Sequence, residues 1–181
     1  MSLPSNLDVP LEYQDNDFSC TPVCIKMVLE FIRVQNPIGY VPNIDVEEIS
    51  RTIGTDELGT PLQNVENINK KLVKAVPSIE FVAEINCSFD EIENEILNGK
   101  PVIAWVKIPY HHSVVVTGLN RDSLIIYYND PESGKKQIEM GRFISAWNSI
   151  DNVLIKAKIG EKIQRIIPEY AEKKEQKREE Q

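Results

Sequence analysis

Cys20–Arg33, CTPVCIKMVLEFIR, is the stretch on which the reading of this chain turns. Its charged residues, Lys26, Glu30 and Arg33, step by four and three and so share one narrow helical stripe. Everything else on it is apolar or small, the pattern of a helix buried on most sides. Pro22 stands in the first turn, where a missing N–H is tolerated.

Downstream of that helix, three segments open with a capping-box pattern. Asp45 with Glu48 precedes VEEISRTI, and Thr60 with Gln63 precedes a helix through NVENINKKLVK, with Pro61 at its first turn. Ser88 with Glu91 opens FDEIENEILN, which Gly99 ends. The period then changes. Pro101–Lys107, Ser113–Leu119, Ser123–Asn129 and Val153–Lys158 are short β-branched runs between turn signals, with a hairpin around Leu119–Ser123 and a short helix around Arg142–Trp147. Helices first and strands afterwards predict an α+β fold, a helical N-terminal half whose buried helix packs on a mostly antiparallel sheet. The expected organisation is a single domain over 1–160 and a charged tail over 161–181, helical or disordered.

Composition narrows the function classes. The chain has 181 residues, 20 Lys+Arg against 28 Asp+Glu and a net charge of -8. The tail holds six bases and six acids, so the whole acidic excess belongs to residues 1–160. Such a body is a poor partner for nucleic acid or an anionic membrane. No apolar run approaches the ~18 residues of a membrane span. The opening MSLPSNLDVP lacks the basic and apolar regions of an export signal, so a cytoplasmic location is expected. Three cysteines make no disulfide framework.

Cys20 opens the buried helix. A helix N-terminus stabilises a thiolate through its dipole and unpaired N–H groups, and it offers donors to an oxyanion beside the sulfur. Cys24, one turn deeper, and Cys87 read as structural. The chain has two histidines, adjacent at His111 and His112. Strand alternation puts His112, Val114 and Val116 on one face and Ser113 and Val115 on the other. A thiol nucleophile needs a base, which His112 can supply. Asp130 can reach that imidazole from a neighbouring strand, although Asn129–Gly134 reads equally as a turn; Asn129, the rival orienter, points to the other face by alternation. Gln14, six residues before Cys20, has an amide able to donate to an oxyanion. Cys20-x3-Cys24 nominally suits zinc, but Cys24 belongs to the buried helix face, so no metal or other cofactor is expected. Trp105, Trp147 and Tyr110 could line a cleft, but core packing is the expected use of both tryptophans.

Residues Gln14–Leu29 resemble the nucleophile segment of the C39 and C39-like cysteine peptidases, a branch of the papain-like fold. Leu97–Ile103, His112–Gly118, Asn129–Pro131 and a closing Phe143…Trp147 follow in that family's order, so the resemblance spans roughly Tyr13 to Trp147. It implies a papain-like fold and a Cys–His–Asp triad. Cys20 is then the nucleophile, His112 the general base and acid, Asp130 its orienter, and Gln14 part of the oxyanion hole. One residue departs from the pattern. Thr21 stands where the family usually has glycine, which forbids a positive φ there and narrows the cleft beside the sulfur.

The implied function is a thiol-dependent hydrolase, a cysteine peptidase acting on a peptide or protein through an acyl-enzyme. An amidase or acyltransferase on the same triad, and a non-catalytic peptide-binding module, are the alternatives. The oligomeric state is not legible. An acidic body around a thiolate is expected to favour neutral or basic substrate segments over acidic ones.

Overall fold

The stripe on the first helix is spent on holding a loop. In a computed structural model that describes residues 6–160, α1 (Cys20–Gln35) buries nearly every residue of its first three turns. Lys26 and Arg33 both pair with Glu30, at 2.8 and 2.6 Å. Lys26 Nζ also donates to Asn43 Oδ1 and Arg33 to the Pro42 carbonyl, which ties the following loop across the helix. Burial opposes ionisation of Glu30, but the bonds and charges of Lys26 and Arg33 outweigh it and hold the carboxyl below its usual range.

Two of the three capped starts form as read. Asp45 Oδ1 accepts from Glu48 N at 2.7 Å and opens α2 (Val46–Ile53). Ser88 and Glu91 make a full capping box for α3 (Phe89–Leu97), a device that contributes ~1 kcal/mol. The third does not. The Thr60 hydroxyl bonds that of Thr55 at 2.7 Å and caps nothing, because the helix starts later, with Pro61 in the cap position, and winds as a 3-10 helix over Leu62–Lys71.

Among the described residues, six strands form one antiparallel sheet: β1 (Ile79–Glu84), β2 (Val102–Lys107), β3 (His111–Asn120), β4 (Ile125–Asp130), β5 (Gly134–Glu139) and β6 (Leu154–Ile159), in the order β1-β6-β2-β3-β4-β5. The Leu119–Ser123 hairpin is present between β3 and β4. The short helix is α4 (Met140–Asn148). β1 and β5 are the strands that the β-branched runs did not announce. GKKQIE is too polar for a buried run because it is an edge strand with exposed lysines.

Alternation divides the core between the two sheet faces. Ile103, Val115 and Ile155 join α1, α2 and the 3-10 helix on one face. Val102, Ala104, Val114 and Val116 join α3 and α4 on the other. The fold is therefore α+β with its longest helix sunk against an antiparallel sheet, as the sequence predicted. The charged tail at 161–181 lies outside the described residues.

Candidate active site

α1 begins at Cys20 with an open N-terminus. Ser19 is its N-cap residue but makes no side-chain cap; its hydroxyl turns back to the Asn16 carbonyl at 3.4 Å. Pro22 has no N–H, so Cys20 and Thr21 carry the first-turn donors, and no acidic residue in that turn competes for the dipole.

His112, at the head of β3, is 6 % exposed. Its Nε2 donates to Asp130 Oδ1 at 2.7 Å. Asp130 closes β4 and is fixed on its other side by the loop it begins. Its Oδ1 accepts from Glu132 N at 2.8 Å and its Oδ2 from the Ser133 hydroxyl at 2.8 Å. One carboxylate thus both accepts from the imidazole and ties the turn at Asn129–Gly134. Asn129 is buried on the opposite face, where its Nδ2 donates to the Val9 carbonyl at 3.0 Å.

Cys20 and His112 line one cavity with His111, Ser113, Thr21 and Trp105. Burial disfavours ionisation of Cys20, yet the bond and charge of His112, with bonds from Ser113, outweigh it and hold the thiol below its ordinary value. Burial likewise opposes the imidazolium, but Asp130 and Cys20 overcome it and raise His112 to about 9. Burial also works against the Asp130 carboxylate, and His112 with the Glu132 and Ser133 donors brings it down to about 2. The other thiols behave as structural groups: burial pushes Cys24 far up, and burial followed by the Glu91 charge raises Cys87.

Gln14 is held near this centre by its backbone rather than its side chain. Its N–H donates to the Pro131 carbonyl at 2.8 Å, one residue past Asp130. Its Nε2 donates to Asn16 O at 2.9 Å, its Oε1 is buried without a partner, and the residue does not line the cavity. The segment lies close because Gly134 has φ +91; a Cβ there would sit 2.9 Å from the Tyr13 hydroxyl.

Sequence reasoning missed the partners of two groups here. Thr21 is helical and 2 % exposed, and its hydroxyl shares a 2.6 Å hydrogen bond with that of Ser113, also 2 % exposed. Cys24 Sγ donates to the Ser113 carbonyl at 3.4 Å. The two bonds clamp the start of α1 to β3, beside the thiol on one element and the imidazole on the other. The residue after Cys20 needs no positive φ in this fold, and Thr21 spends its hydroxyl on that clamp. The available signal was a hydroxyl residue directly after each reactive one. Tyr110 is the second group: its ring meets His112 edge-on at 6.3 Å, and its hydroxyl donates to Glu132 at 2.6–2.7 Å. Trp147 is core as expected, whereas Trp105 lines the cavity instead.

Two sets of side chains among the described residues converge closely enough to hold a metal ion. In the set His112, Asp130 and Glu132, the His112 Nε2 and the Glu132 N–H both donate to Asp130 Oδ1, and the Glu132 carboxylate accepts from the Tyr110 hydroxyl. Glu84, Cys87 and Glu91 surround the Lys156 ammonium, which pairs with both carboxylates and supplies their counter-charge. No helix among the described residues is long and apolar enough to cross a membrane.

Solved structures of known proteins resemble this fold. A double glycine motif protease from an AMS/PCAT transporter, solved in complex with its leader peptide, aligns with TM-score 0.61 and 19 % identity, covering 86 % of this chain and 95 % of that one. A structure described as a C39-like peptidase from Bacillus anthracis gives TM-score 0.67 at 15 % identity, over 86 % of this chain and 96 % of that one. The peptidase domain of Streptococcus ComA gives 0.58 at 18 %, over 84 % and 97 %. At these identities the likeness speaks for the fold alone. No curated protein sequence matches the chain. The family model described as "Peptidase_C39 like family" matches residues 6–155, which takes in α1, the whole His112–Asp130 hairpin and the start of β6. On that match the chain belongs to the Peptidase_C39 like family and is a cysteine peptidase of papain-like fold.

Proposed function

We propose that this protein hydrolyses peptide bonds through a Cys20–His112–Asp130 triad. The observation that carries the reading is the 2.7 Å bond from His112 Nε2 to Asp130, which leaves Nδ1 for the thiol that shares its cavity. Below the His112 value of about 9, and above the lowered value of Cys20, the pair exists as thiolate and imidazolium. The thiolate attacks the substrate carbonyl carbon, forming the C–S bond while the carbonyl oxygen takes the electron pair. The Cys20 N–H at the open end of α1 donates to that oxyanion. His112 gives its proton to the departing amine as the C–N bond breaks, then takes one from water as the thioester is hydrolysed.

Gln14 is the proposed second oxyanion donor, reached by turning its carboxamide away from Asn16. The unpartnered Oε1 makes its present orientation cost ~1–3 kcal/mol, which lowers the cost of turning. The catalytic unit is the domain over 1–160, a reading supported by the single sheet and the family match over 6–155. A peptide is the proposed substrate class; the relative solved with a leader peptide supports it.

The test is a thiol-directed activity probe on wild type and Cys20→Ala, followed by peptide-library profiling. Wild type labels and cleaves, and the variant does neither; cleavage that survives in Cys20→Ala sinks the reading. Iodoacetamide near neutral pH labels Cys20 much faster than Cys87, whose thiol burial holds protonated. Equal, slow labelling on mass mapping would show that Cys20 carries no activated thiolate.

The pH profile has a definite sign. Activity needs the imidazolium as acid, so kcat/KM holds through neutral pH and falls as pH rises through about 9. A basic limb near the ordinary histidine value of 6.5 would contradict the His112–Asp130 coupling. Stability follows the same linkage. The raised His112 stabilises the fold fully below pH 6.5 and loses that contribution as pH rises through about 9. The depressed Asp130 contributes above its ordinary 3.8 and is lost as pH falls through about 2.

A further inference from the structure

We propose that the turn at residues 55–60 selects the substrate: it presents Leu58 at the Cys20 cavity, where an extended peptide segment seats an apolar side chain against Leu58, Trp105 and Ile150. This rests on the reading of Cys20 as nucleophile and adds the substrate class to it. Leu58 is 97 % exposed. Single exposed apolar residues are ordinary on protein surfaces and need no explanation. Val73 and Ile38 are of that kind, for neither lines the cavity. Leu58 differs in two respects, its place and its rigidity.

Its place is the wall that also holds Cys20, Thr21 and His112, with Glu57, Gly59 and Thr60 beside it. Its rigidity comes from four hydrogen bonds across six residues. The Thr55 and Thr60 hydroxyls bond at 2.7 Å. Asp56 N donates to Gly59 O at 3.1 Å, and Gly59 N to Asp56 O at 2.9 Å. Asp56 Oδ1 accepts from Leu58 N at 2.8 Å. Gly59 supplies the positive φ of +95 that closes the turn. A leucine on a mobile loop would fold down onto the protein. This one is fixed in water beside a reactive thiol, so a ligand that covers it gains apolar burial at little ordering cost.

The cavity suits a segment better than a free small molecule. Its volume is about 220 Å³, below the ~300–1,000 Å³ of pockets that engulf a small ligand. It therefore accepts one side chain of a chain that continues outside. Trp105 and Ile150 supply apolar wall from β2 and from the loop after α4. Asp17 and Glu57 line the same space, and among its lining residues there is no lysine or arginine. An acidic substrate side chain would meet the like charges of Asp17 and Glu57 there, while the His112 imidazolium is already paired with Asp130 and Cys20. The acidic excess of the body thus reaches the cleft itself.

Tripeptidyl vinyl sulfones test this without requiring turnover: the thiolate sulfur bonds the β-carbon of the vinyl group, the C=C π pair moves to the α-carbon, and that carbon takes the His112 proton, so nothing leaves. Three series place Leu, Gly or Asp in turn at each position before the electrophile. At one position the Leu probe inactivates wild type about tenfold faster than the Gly probe, with Asp slower still. Leu58→Ser reduces the Leu-to-Gly ratio to below about threefold, Leu58→Met restores it, and Val73→Ser, outside the cavity, leaves it at the wild-type value. Wild-type rates equal for Leu and Gly at every position, or a full preference in Leu58→Ser, overturn the proposal. Iodoacetamide separates the two readings. Rapid Cys20 alkylation with no apolar preference removes the selectivity alone, whereas Cys20 alkylated no faster than Cys87 removes the nucleophile and the selectivity together.

Discussion

Replacing His112 with alanine is expected to lower kcat/KM for any cleaved peptide by about 10³-fold or more, while His111→Ala stays within a few-fold. Both histidines line the cavity, but only His112 is buried at the strand head with a ring nitrogen on Asp130. Its removal takes away three things at once. The thiolate loses the neighbour that offsets its desolvation, the leaving amine loses its acid, and the incoming water loses its base. A second readout accompanies the first. With His112 gone, burial dominates the Cys20 environment, so the pH at which iodoacetamide half-saturates its reaction rate moves upward. His111→Ala carrying the large loss instead would mean that the wrong histidine had been given the role.

Trp147→Ala is expected to lose ~3–5 kcal/mol of folding stability, at least a fifth of the ~5–15 kcal/mol that a domain typically has. Trp147 is 1 % exposed and sits in the core cluster between the sheet and α4, among Phe143, Ala104 and Leu154. Its Nε1 donates to the Val153 carbonyl at 2.9 Å, tying α4 to the approach of β6. Alanine leaves a cavity and removes one of the two donors to the Val153 carbonyl, which keeps the Trp105 backbone N–H at 3.4 Å. Trp147→Phe separates the two effects. It keeps most of the ring and forfeits the bond, at a cost of ~0.5–1.5 kcal/mol. Urea melts measure both. An alanine variant within ~1 kcal/mol of wild type would show that this layer repacks freely, contrary to its close burial.

Where the fold was readable, the residues spoke through period and local chemistry. The three-residue charge stripe on a greasy helix, the Ser88–Glu91 box and the β-branched runs each act within a few residues, so each was visible in order along the chain. Alternation within HSVVV assigned Val114 and Val116 to one core and Val115 to the other, and it turned Asn129 away from His112. The misreadings came from partners. Thr60 has the form of a cap, but Thr55 claims its hydroxyl, and the 3-10 helix begins without it. β5 carries lysines because it is an edge, and an edge is defined by the absence of a neighbour, which no local pattern records.

The same division runs through the site. Side-chain chemistry alone nominated Cys20, His112, Asp130 and Gln14, because few residue types can serve as nucleophile, base, orienter and donor. It could not assign Gln14 an orientation, since an amide turns to whichever partner the fold leaves open, here the Asn16 carbonyl. Nor could it join Thr21 to Ser113 or bring Leu58 beside Cys20, pairs separated by 92 and 38 residues along the chain. Those pairings exist because one antiparallel sheet carries β3 past the start of α1, and because the turn after α2 comes back to its rim. Local sequence thus decided which groups are able to react, through helix period, strand alternation and functional-group chemistry. Distances between remote residues depend on how whole elements pack, so the tertiary structure alone decided which groups hold the reactive pair in register and which stand where a substrate would lie.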